Sequence, residues 1–561
     1  MKIITLLRTC LVASATLLLV SCVTPITPVT PMTPITSRAP PKLLVFMVVD
    51  GLPQRQITAY RDQLAPDGFA RFLDRGTWFA NANYAHAFTV TAAGHAVMLT
   101  GAYPDRTGII GNEWRNPETG APVYNTEDPS ATYIGHKTNA FDGTSPKNLR
   151  VQTVGDMLRA ASPASKVIAI SGKDRGAILP AGKSGTAYMY MAESGGFASS
   201  THYMAQHPSW VTAYNAAKPA DRYFKTEWQA LLPEAAYARS LPDSQPWFGP
   251  AGGKLPMMMG VAADDMPGPM FYNAVMRSPF GDALTLGFAR AAIAGEQLGQ
   301  RGVPDILSVS LSSHDYINHA FSAESRLSHD HLLQLDRQLE RFFADLDKTI
   351  GQGNYAVVLT ADHGFMPAPE VLAAQGLPSG RLNAGQLLGR LNAGLEKRFG
   401  PLQGGKWAMG FSGSSLLLDK KQMAQAKLDP MLVAQEAKSL LLAEPAIAAA
   451  YTRAELLADS PPSALLFSAL RKAWHPDVSG DVQYALKPNW MFASTSSVAT
   501  HGSPYAYDTQ VPLLVYAPSW YKPGSVETPV DMASMAPTLA RLLGVARPPA
   551  AAAAVLPLQA P

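Results

Sequence analysis

Six residues with metal-binding side chains stand beyond strand-like apolar runs in this chain. They are Asp50, Asp315, His319, Asp362, His363 and His501. Ligands of open α/β sheets bind beyond the carboxyl ends of the strands, so these side chains are predicted to meet at one edge of a sheet. Carboxylate oxygens and imidazole nitrogens suit Zn²⁺, which takes four ligands in a tetrahedral site. Six donors therefore predict two Zn²⁺ ions that share a bound substrate.

The elements that must position these residues follow from the apolar pattern. Strand-like runs recur near residues 43–49, 166–170, 305–311, 355–360 and 511–516, with helix-like segments between several of them. This alternation predicts an α/β fold. Residues 328–350 have the apolar spacing of a helix that covers a sheet. His329 and His331 in this segment are expected at the surface rather than as ligands.

Two long stretches, near residues 180–300 and 370–495, interrupt the alternation. Long connections in a compact domain usually carry function, so we expect inserted caps at the rim of the site rather than independently folded modules. The tail, residues 546–561, is rich in Ala and Pro and is expected to be disordered.

Residues 1–21 have the pattern of a secretory signal peptide: Lys2 and Arg8 precede an apolar run that is too short to span a bilayer. The sequence LVSC at 19–22 resembles a bacterial lipobox, which would leave Cys22 acylated; an ordinary signal with an incidental cysteine is the alternative. Residues 22–42 contain a Thr-Pro repeat that favours an extended spacer. Together they predict a periplasmic protein that a lipid anchor tethers to the outer membrane.

Composition narrows the possible partners. The formal charge is +3 and 47% of the residues are apolar, which indicates a globular protein without the basic field that attracts a nucleic-acid polymer. The two cysteines are Cys10, inside the predicted signal, and Cys22, so the mature protein is expected to have no disulfide. The oligomeric state stays open, and a monomer is compatible with the sequence.

Other polar residues have two readings each from their own chemistry. Asp315 and His319 are four residues apart, a spacing that fits either two metal ligands or a pair of side chains on the surface of a helix. Thr91 precedes a helix-like run, where its hydroxyl could cap the helix or act as a nucleophile, and Thr89 is its rival. Lys173 and Arg175 are predicted to alternate in an extended segment, where they could face one phosphate or simply be surface charge.

Seven segments in this order resemble the alkaline phosphatase superfamily, on the branch of periplasmic alkaline phosphatases with a threonine nucleophile. They are VVDG (48–51), TVTAAGH (89–95), GIIGNEW (108–114), SGKDR (171–175), HDYINH (314–319), ADHG (361–364) and THGSPY (500–505). The resemblance covers residues 43–545, nearly all of the expected folded chain. It implies a doubly wound, mostly parallel sheet flanked by helices, with inserted cap segments.

The resemblance also implies a role for each site residue. Thr91, which the pattern T-x-x-G-H selects over Thr89, would be the nucleophile, and His314 would give way to His319 as a ligand. One zinc would bind Asp50, Thr91, Asp362 and His363, the other Asp315, His319 and His501, and the phosphate would bind Asn112, Lys173 and Arg175. The implied reaction is hydrolysis of small phosphate monoesters through a phosphothreonine, with release of inorganic phosphate outside the cytoplasm.

Three other functions would require some of the same residues. A nucleotide pyrophosphatase or phosphodiesterase of the same superfamily would share the metal ligands and the threonine, and Lys173 with Arg175 argues for monoesters instead. A sulfatase needs a cysteine or serine where Thr91 stands. A noncatalytic zinc-binding surface lipoprotein would need the metal ligands but not Thr91, Asn112, Lys173 and Arg175.

Overall fold

The computed structural model describes residues 38–249, 252–402, 404–458 and 463–561. The expected signal peptide, Cys22 and the Thr-Pro repeat lie outside these ranges. Residues 38–42, expected to belong to the spacer, instead pack on the domain: Trp520 Nε1 donates to the Ala39 carbonyl over 2.9 Å, and the Lys42 amide donates to the Asn354 carbonyl over 2.8 Å. Within the described ranges, no helix has the length and apolar character required to cross a membrane.

A mixed sheet forms the centre of the fold. Its strands lie in the order Gly524–Val526, Thr77–Asn83, Gln510–Tyr516, Tyr355–Thr360, Leu43–Val49, Asp305–Leu311, Val167–Ser171, Thr186–Met191 and Gly196–Ala198, and Val530–Asp531 also pairs with Thr77–Asn83. The five strands from Tyr355–Thr360 to Thr186–Met191 are parallel to one another. Gln510–Tyr516 is antiparallel to both of its neighbours. The expected mostly parallel α/β sheet is confirmed.

Burial on both faces explains why the central strands have continuous apolar sequences. Every residue of Leu43–Val49 is fully buried, as expected for a strand of a parallel sheet that helices cover on both sides. The α-helices outside residues 380–492 are Gln54–Ala59, Ala70–Arg75, Thr91–Thr100, Pro104–Thr107, Val154–Ala161, Asp174–Ala181, Ser209–Ala216, Pro269–Val275, Pro279–Glu296, Ser313–Phe321, Arg326–Thr349, Pro369–Ala374, Ala506–Thr509 and Met535–Leu542. Arg326–Thr349 is the helix predicted at 328–350, and the Ser325 side chain caps its start by accepting from the Ser328 amide.

The second predicted insertion forms a cap, residues 380–492, with a core of its own. Its antiparallel sheet has the order Ala408–Ser412, Ser415–Leu418, Val482–Leu486 and Ile447–Thr452, and Gly380–Leu382 pairs with Trp490–Phe492. Its helices are Ala384–Phe399, Lys420–Gln425, Pro430–Leu442, Arg453–Leu457 and Phe467–Lys472. Leu391, Leu416 and Val433 are buried in an apolar cluster separate from that of the central sheet. The cap was not expected to form a separately packed module, but it has its own apolar core, because its sheet buries one face under its own helices.

The first predicted insertion, 180–300, is much shorter than expected. Thr186–Met191 and Gly196–Ala198 extend the central sheet, and helix Pro279–Glu296 packs beside strand Asp305–Leu311. Tyr188 and Met189 are each 1% exposed, so both faces of the first strand are buried although its sequence alternates aromatic residues and methionines. Two short strands, Glu227–Trp228 and Met257–Met258, pair within the remaining excursion.

The prediction of a disordered tail at 546–561 is wrong. Leu556 is 4% exposed, and its amide donates to Thr538 Oγ1 over 2.8 Å. The Lys522 amide donates to the Gln559 carbonyl over 2.9 Å. The few apolar residues of this Ala/Pro-rich segment are enough to hold it against helix Met535–Leu542.

Candidate active site

Three neighbouring strands deliver most of the predicted metal ligands to one edge of the sheet. Asp50 follows Leu43–Val49, Asp362 follows Tyr355–Thr360, and Asp315 lies in helix Ser313–Phe321, which follows Asp305–Leu311. Gly51 has φ +69° and lies so close to Asp315 that a Cβ there would be 3.0 Å from Asp315 Oδ1. The turn after the first strand therefore requires glycine to bring Asp50 and Asp315 together.

The donor atoms form two groups that share His363. Within each group the atoms lie within 4.8 Å of one another: Asp50, Asp362 and His363 make the first group, and Asp315, His363 and His501 make the second. The first trio is the one expected for one ion. In the second group His363 stands where His319 was expected, and His319 lies at the edge, with its Nε2 3.4 Å from Asp315 Oδ1. The structure thus brings all six predicted ligands together.

Backbone carbonyls fix the tautomer of the three imidazoles. Nδ1 of His319, His363 and His501 lies 3.0, 2.8 and 2.9 Å from the carbonyl oxygens of Ala499, Gly364 and Thr89 respectively. A carbonyl can only accept, so each Nδ1 carries the hydrogen and each Nε2 presents a lone pair towards the carboxylates. Burial lowers the pKa of His319 and His501 and keeps both imidazoles neutral. This is the form in which histidine binds metal.

The carboxylates carry buried oxygens with unused capacity. Among the described residues, Oδ1 of Asp50 and Oδ1 of Asp315 are buried and have no hydrogen-bond donor, whereas the only donors near Oδ2 of Asp50 and Oδ2 of Asp362 are Lys173 and His95 respectively. Burial, followed by the charge of Asp362, raises the pKa of Asp50. Burial also tends to raise the pKa of Asp315, but the Lys173 ammonium outweighs it and holds the pKa of Asp315 well below its usual range. Unpaired buried carboxylate oxygens beside neutral imidazoles fit divalent metal ions.

Lys173 joins the two donor groups. Its Nζ lies 2.8 Å from Asp50 Oδ2 and 2.5 Å from Asp315 Oδ2, and its side chain is 2% exposed. The ring of Tyr316, which the sequence reasoning missed, lies 4.8 Å from this ammonium and adds a cation–π contact. The ammonium therefore stands between the two groups, close to where a shared anion would bind.

The prediction that Lys173 and Arg175 alternate in an extended segment is wrong. Lys173 is extended, but helix Asp174–Ala181 begins at the next residue and includes Arg175. The Arg175 side chain still turns inward, where Nη1 donates to Tyr124 Oη over 3.1 Å and the side chain is 18% exposed. Tyr124 in turn donates to Asp174 Oδ1 over 2.7 Å. A helix start at this point places the two cations at different depths of the site.

Thr91 is the first residue of helix Thr91–Thr100, and Val90 holds the capping position, so the N-cap interpretation of Thr91 is wrong. Thr91 Oγ1 lies 3.5 Å from His363 Nε2. The rival Thr89 is directed elsewhere: its hydroxyl donates to the Ser503 carbonyl over 2.9 Å. Asn112 accepts from the Ala92 amide through Oδ1 over 2.9 Å, which leaves its amide nitrogen as a donor beside Thr91.

His95 is a further site residue that the sequence reasoning missed. Its Nδ1 lies 2.9 Å from the Thr91 carbonyl and 3.1 Å from Asp362 Oδ2, and its Nε2 lies 2.9 Å from Ser310 Oγ. The available signal was its position four residues after Thr91 in one helix, which puts both on the same face. His95 therefore connects the start of this helix to a predicted metal ligand.

His314, the alternative ligand beside Asp315, is fully buried. His329 and His331, which were expected at the surface, are fully buried as well. His314 points away from Asp315, with Nε2 2.7 Å from Gln56 Oε1 and Nδ1 3.0 Å from His331 Nδ1. The expectation that His329 and His331 lie on the surface is wrong, because each finds polar partners on other elements: Ser240 and Gln63 for His329, and the buried Asp282 for His331.

Known proteins resemble this chain over most of its length. Residues 44–504 match the family model of the type I phosphodiesterase/nucleotide pyrophosphatase family. The chain is 35% identical to alkaline phosphatase PhoV of Synechococcus elongatus, across 91% of each protein. It is 33% identical to alkaline phosphatase PafA of Elizabethkingia meningoseptica, across 91% of this chain and 92% of PafA.

The resemblance extends to a solved structure. The crystal structure of wild-type PafA superposes with a TM-score of 0.84 at 31% identity, covering 93% of this chain and 99% of the other. The chain therefore belongs to the type I phosphodiesterase/nucleotide pyrophosphatase family within the alkaline phosphatase superfamily, and it is an enzyme of the alkaline phosphatase kind.

Proposed function

We propose that the protein hydrolyses small phosphate monoesters through a covalent phosphothreonine on Thr91, with two Zn²⁺ ions held by the six predicted ligands. The observation that carries this proposal is the Thr91 hydroxyl, 3.5 Å from His363 Nε2 at the start of a helix. Bound zinc would lower the pKa of that hydroxyl and offset the charge of the phosphoryl group.

The reaction divides into two displacements at phosphorus. Thr91 Oγ loses its proton and bonds to phosphorus as the ester P–O bond breaks, and the leaving oxygen takes up one proton and departs as the alcohol. Water then loses a proton and bonds to phosphorus as the bond to Thr91 Oγ breaks, Thr91 Oγ regains a proton, and inorganic phosphate is released. The backbone amides at the start of helix Thr91–Thr100 favour the negative charge that gathers there.

Three side chains are assigned to the phosphate oxygens. The free amide nitrogen of Asn112 and the cations of Lys173 and Arg175 lie around Thr91 and the donor groups, and charge-assisted contacts to a phosphate are strong. A crystal structure of PafA has been solved for a variant substituted at a threonine, an asparagine, a lysine and an arginine. These are the four residue types assigned here to Thr91, Asn112, Lys173 and Arg175, which supports the assignment.

Diester hydrolysis is the second candidate, because the matching family model is named for phosphodiesterases. The two buried cations favour a monoester, which presents a dianion with three nonbridging oxygens, whereas a diester presents a monoanion. A noncatalytic zinc lipoprotein would have no use for Thr91 beside the donors, and a sulfatase would need another residue in its place.

Turnover of three aryl substrates by the purified, metal-replete protein separates the enzymatic candidates. We expect kcat/KM for 4-nitrophenyl phosphate to exceed that for bis(4-nitrophenyl) phosphate and for 4-nitrophenyl sulfate. A preference for the diester would move the protein to the phosphodiesterase reading. Turnover of none of the three would favour the noncatalytic alternative.

We further propose that the enzyme acts in the periplasm, anchored to the outer membrane through acylated Cys22. The support is the sequence LVSC at 19–22 after a short apolar run, and Val23 rather than aspartate after the cysteine. Cys22→Ser should release the protein from the membrane fraction. Wild-type protein that mass spectrometry shows to be unacylated, and that fractionates as freely soluble periplasmic enzyme, would contradict this.

A further inference from the structure

The guanidinium of Arg175 is held from one side only. Its Nη1 donates to Tyr124 Oη over 3.1 Å, and among the described residues this hydroxyl is the one acceptor within hydrogen-bonding distance of the guanidinium. The Arg175 Nε is buried and has no partner among those residues. An arginine side chain has many rotamers, so a single contact of this kind decides where its unused donors point.

The hairpin that follows Asn112 carries this hydroxyl. Tyr124 ends strand Pro122–Tyr124 and lies opposite the residue that follows Asn112. The next residue, Asn125, donates from Nδ2 to the Asn112 carbonyl over 2.6 Å. Two of the side chains assigned to the phosphate, those of Asn112 and Arg175, are therefore fixed by the same short hairpin.

The hydrogen of the Tyr124 hydroxyl is already committed to Asp174. Tyr124 Oη donates to Asp174 Oδ1 over 2.7 Å, and the Gly143 amide donates to Asp174 Oδ2 over 3.0 Å. A Cβ at Gly143 would clash with Oδ2, so the backbone closes tightly over the carboxylate. Burial, followed by the charge of Asp174, raises the pKa of Tyr124 and keeps the phenol protonated. Since a carboxylate can only accept, Arg175 donates to Tyr124 and Tyr124 donates to Asp174, which leaves Tyr124 no hydrogen for a substrate.

We propose that Tyr124 is a positioning residue that directs the guanidinium of Arg175 to a nonbridging oxygen of the phosphate, and that it thereby sets the preference for monoesters over diesters. The inference rests on the proposed function, in which Arg175 binds that oxygen. With Nη1 held by Tyr124, the remaining N–H groups find no acceptor among the described residues and can face a phosphate. Without the hydroxyl, Nη1 can close the present 3.8 Å gap to Asp174 Oδ1 and turn the guanidinium away from the substrate.

A double-mutant cycle in the metal-replete protein tests this role. Tyr124→Phe removes the hydroxyl and keeps the ring, and it should lower kcat/KM for 4-nitrophenyl phosphate about tenfold while leaving that for bis(4-nitrophenyl) phosphate nearly unchanged. In the Arg175→Ala background the same substitution should have no further effect on the monoester. Tyr190→Phe is the matched control: it removes a buried hydroxyl that donates to the Tyr272 carbonyl over 2.9 Å, and it should change neither value.

Calorimetric binding of inorganic phosphate provides a readout that does not depend on turnover. Tyr124→Phe should weaken this binding about tenfold in otherwise wild-type protein and leave it unchanged in Arg175→Ala protein, whereas a general structural defect would act in both backgrounds. An equal loss on both esters, a loss that persists without Arg175, or no loss on the monoester would overturn the role of Tyr124 while leaving the proposed function intact. Wild-type protein that binds phosphate but hydrolyses neither ester would instead overturn the proposed function.

Discussion

Thr91 and Thr89 lie two residues apart but direct their hydroxyl groups to different parts of the molecule. Thr91 Oγ1 lies 3.5 Å from His363 Nε2, and Thr89 Oγ1 donates to the Ser503 carbonyl over 2.9 Å. The backbone turns into helix Thr91–Thr100 between them. One hydroxyl is thereby available at the donor groups, and the other holds the loop that carries His501.

Substitution at these two positions tests the nucleophile. Thr91→Ser should keep appreciable activity, and Thr91→Ala should lose several powers of ten in kcat, because water must replace a positioned hydroxyl. Thr89→Ala is the matched control and should cost about 1 kcal/mol of stability while leaving turnover largely intact. Peptide mapping of trapped phosphoenzyme provides the direct measurement, and phosphate found on Thr89 would disprove the assignment.

The two cations can be tested separately because their contacts differ. Lys173 pairs with Asp50 and Asp315, whereas Arg175 contacts Tyr124 instead. Arg175→Ala should therefore remove roughly 1.5–3 kcal/mol of transition-state stabilisation for monoesters and lower their kcat/KM accordingly. Bound metal and diester turnover should stay nearly unchanged. Lys173→Ala should lower monoester turnover at least as much.

Elemental analysis of both variants shows whether either substitution disturbs the metal sites. Adding Lys173→Ala to Arg175→Ala should deepen the loss on monoesters to several powers of ten. An equal loss on monoesters and diesters would mean that the cations support the fold or the metals in general.

Zinc removal should abolish turnover and lower stability together. Asp50, Asp315 and Asp362 crowd one buried site, so a bound divalent cation offsets their mutual repulsion and stabilises the folded state by mass action. Chelation should reduce both kcat and the melting temperature, and added Zn²⁺ should restore both. Full activity in protein that elemental analysis shows to be metal-free would rule out the two-metal mechanism.

The sequence predicted the strands that carry the ligands because strands buried on both faces leave continuous apolar runs, and Asp50 and Asp362 follow such runs directly. It did not predict Thr186–Met191 as a strand, because this short segment contains no Val or Ile and lies in the stretch that was expected to be an insertion. The tail was misjudged for a related reason: composition alone does not reveal that Leu556 finds a place on another element.

Within the site, residues next to recognisable motifs were predictable and those defined by distant partners were not. His95 belongs to the site because it contacts Asp362, which is remote in sequence, and no local sequence pattern predicts that contact. The local sequence around a histidine does not show whether it is exposed or is buried with polar partners. For this reason His331 was expected at the surface. Arg175 was placed in an extended segment because the helix start after Lys173 has no capping side chain.

The buried carboxyl of Asp508, next to the loop that carries His501, should make the free energy of unfolding depend on pH. Asp508 is 1% exposed, its Oδ2 accepts from the amide and hydroxyl of Ser503, and burial raises its pKa to about 7. Because the folded pKa exceeds the unfolded value of 3.8, the folded state binds the proton more tightly. This contribution is complete below about pH 4 and is lost as the pH rises to about 7, by a few kcal/mol at most.

Asp508→Asn should remove this pH dependence, because the amide oxygen can still accept from Ser503 and no carboxyl titrates. Urea unfolding at pH 4.5 and pH 7.5 provides the measurement. The free energy of unfolding of wild-type protein should fall between these values by more than that of the variant. Parallel pH profiles for the two proteins would show that Asp508 does not titrate in this range.

Four helices meet at a buried row of hydrogen-bonded side chains next to Asp315, one of the predicted metal ligands. Asp282 Oδ2 lies 3.1 Å from His331 Nε2, His331 Nδ1 lies 3.0 Å from His314 Nδ1, and His314 Nε2 lies 2.7 Å from Gln56 Oε1. The Gln56 nitrogen donates to the Ala323 carbonyl, so its oxygen must accept from His314. Burial and the charge of His331 lower the pKa of His314. A neutral His314 that donates through Nε2 must accept through Nδ1, so His331 Nδ1 donates to it, and His331 Nε2 shares the remaining hydrogen bond with Asp282.

The hydrogen bonds of Asp282 predict different effects for two substitutions at this position. Asp282→Ala leaves a buried imidazole without its partner and should cost about 3–5 kcal/mol of unfolding free energy. Asp282→Asn should cost much less, because the amide nitrogen can donate to His331 Nε2, the amide oxygen can still accept from the Ser313 amide, and His331 Nδ1 can still donate to His314. Urea unfolding of the two variants measures the difference. Equal destabilisation would show that the carboxyl group itself is required at Asp282, since both variants remove it whereas asparagine preserves its size and its hydrogen bonds.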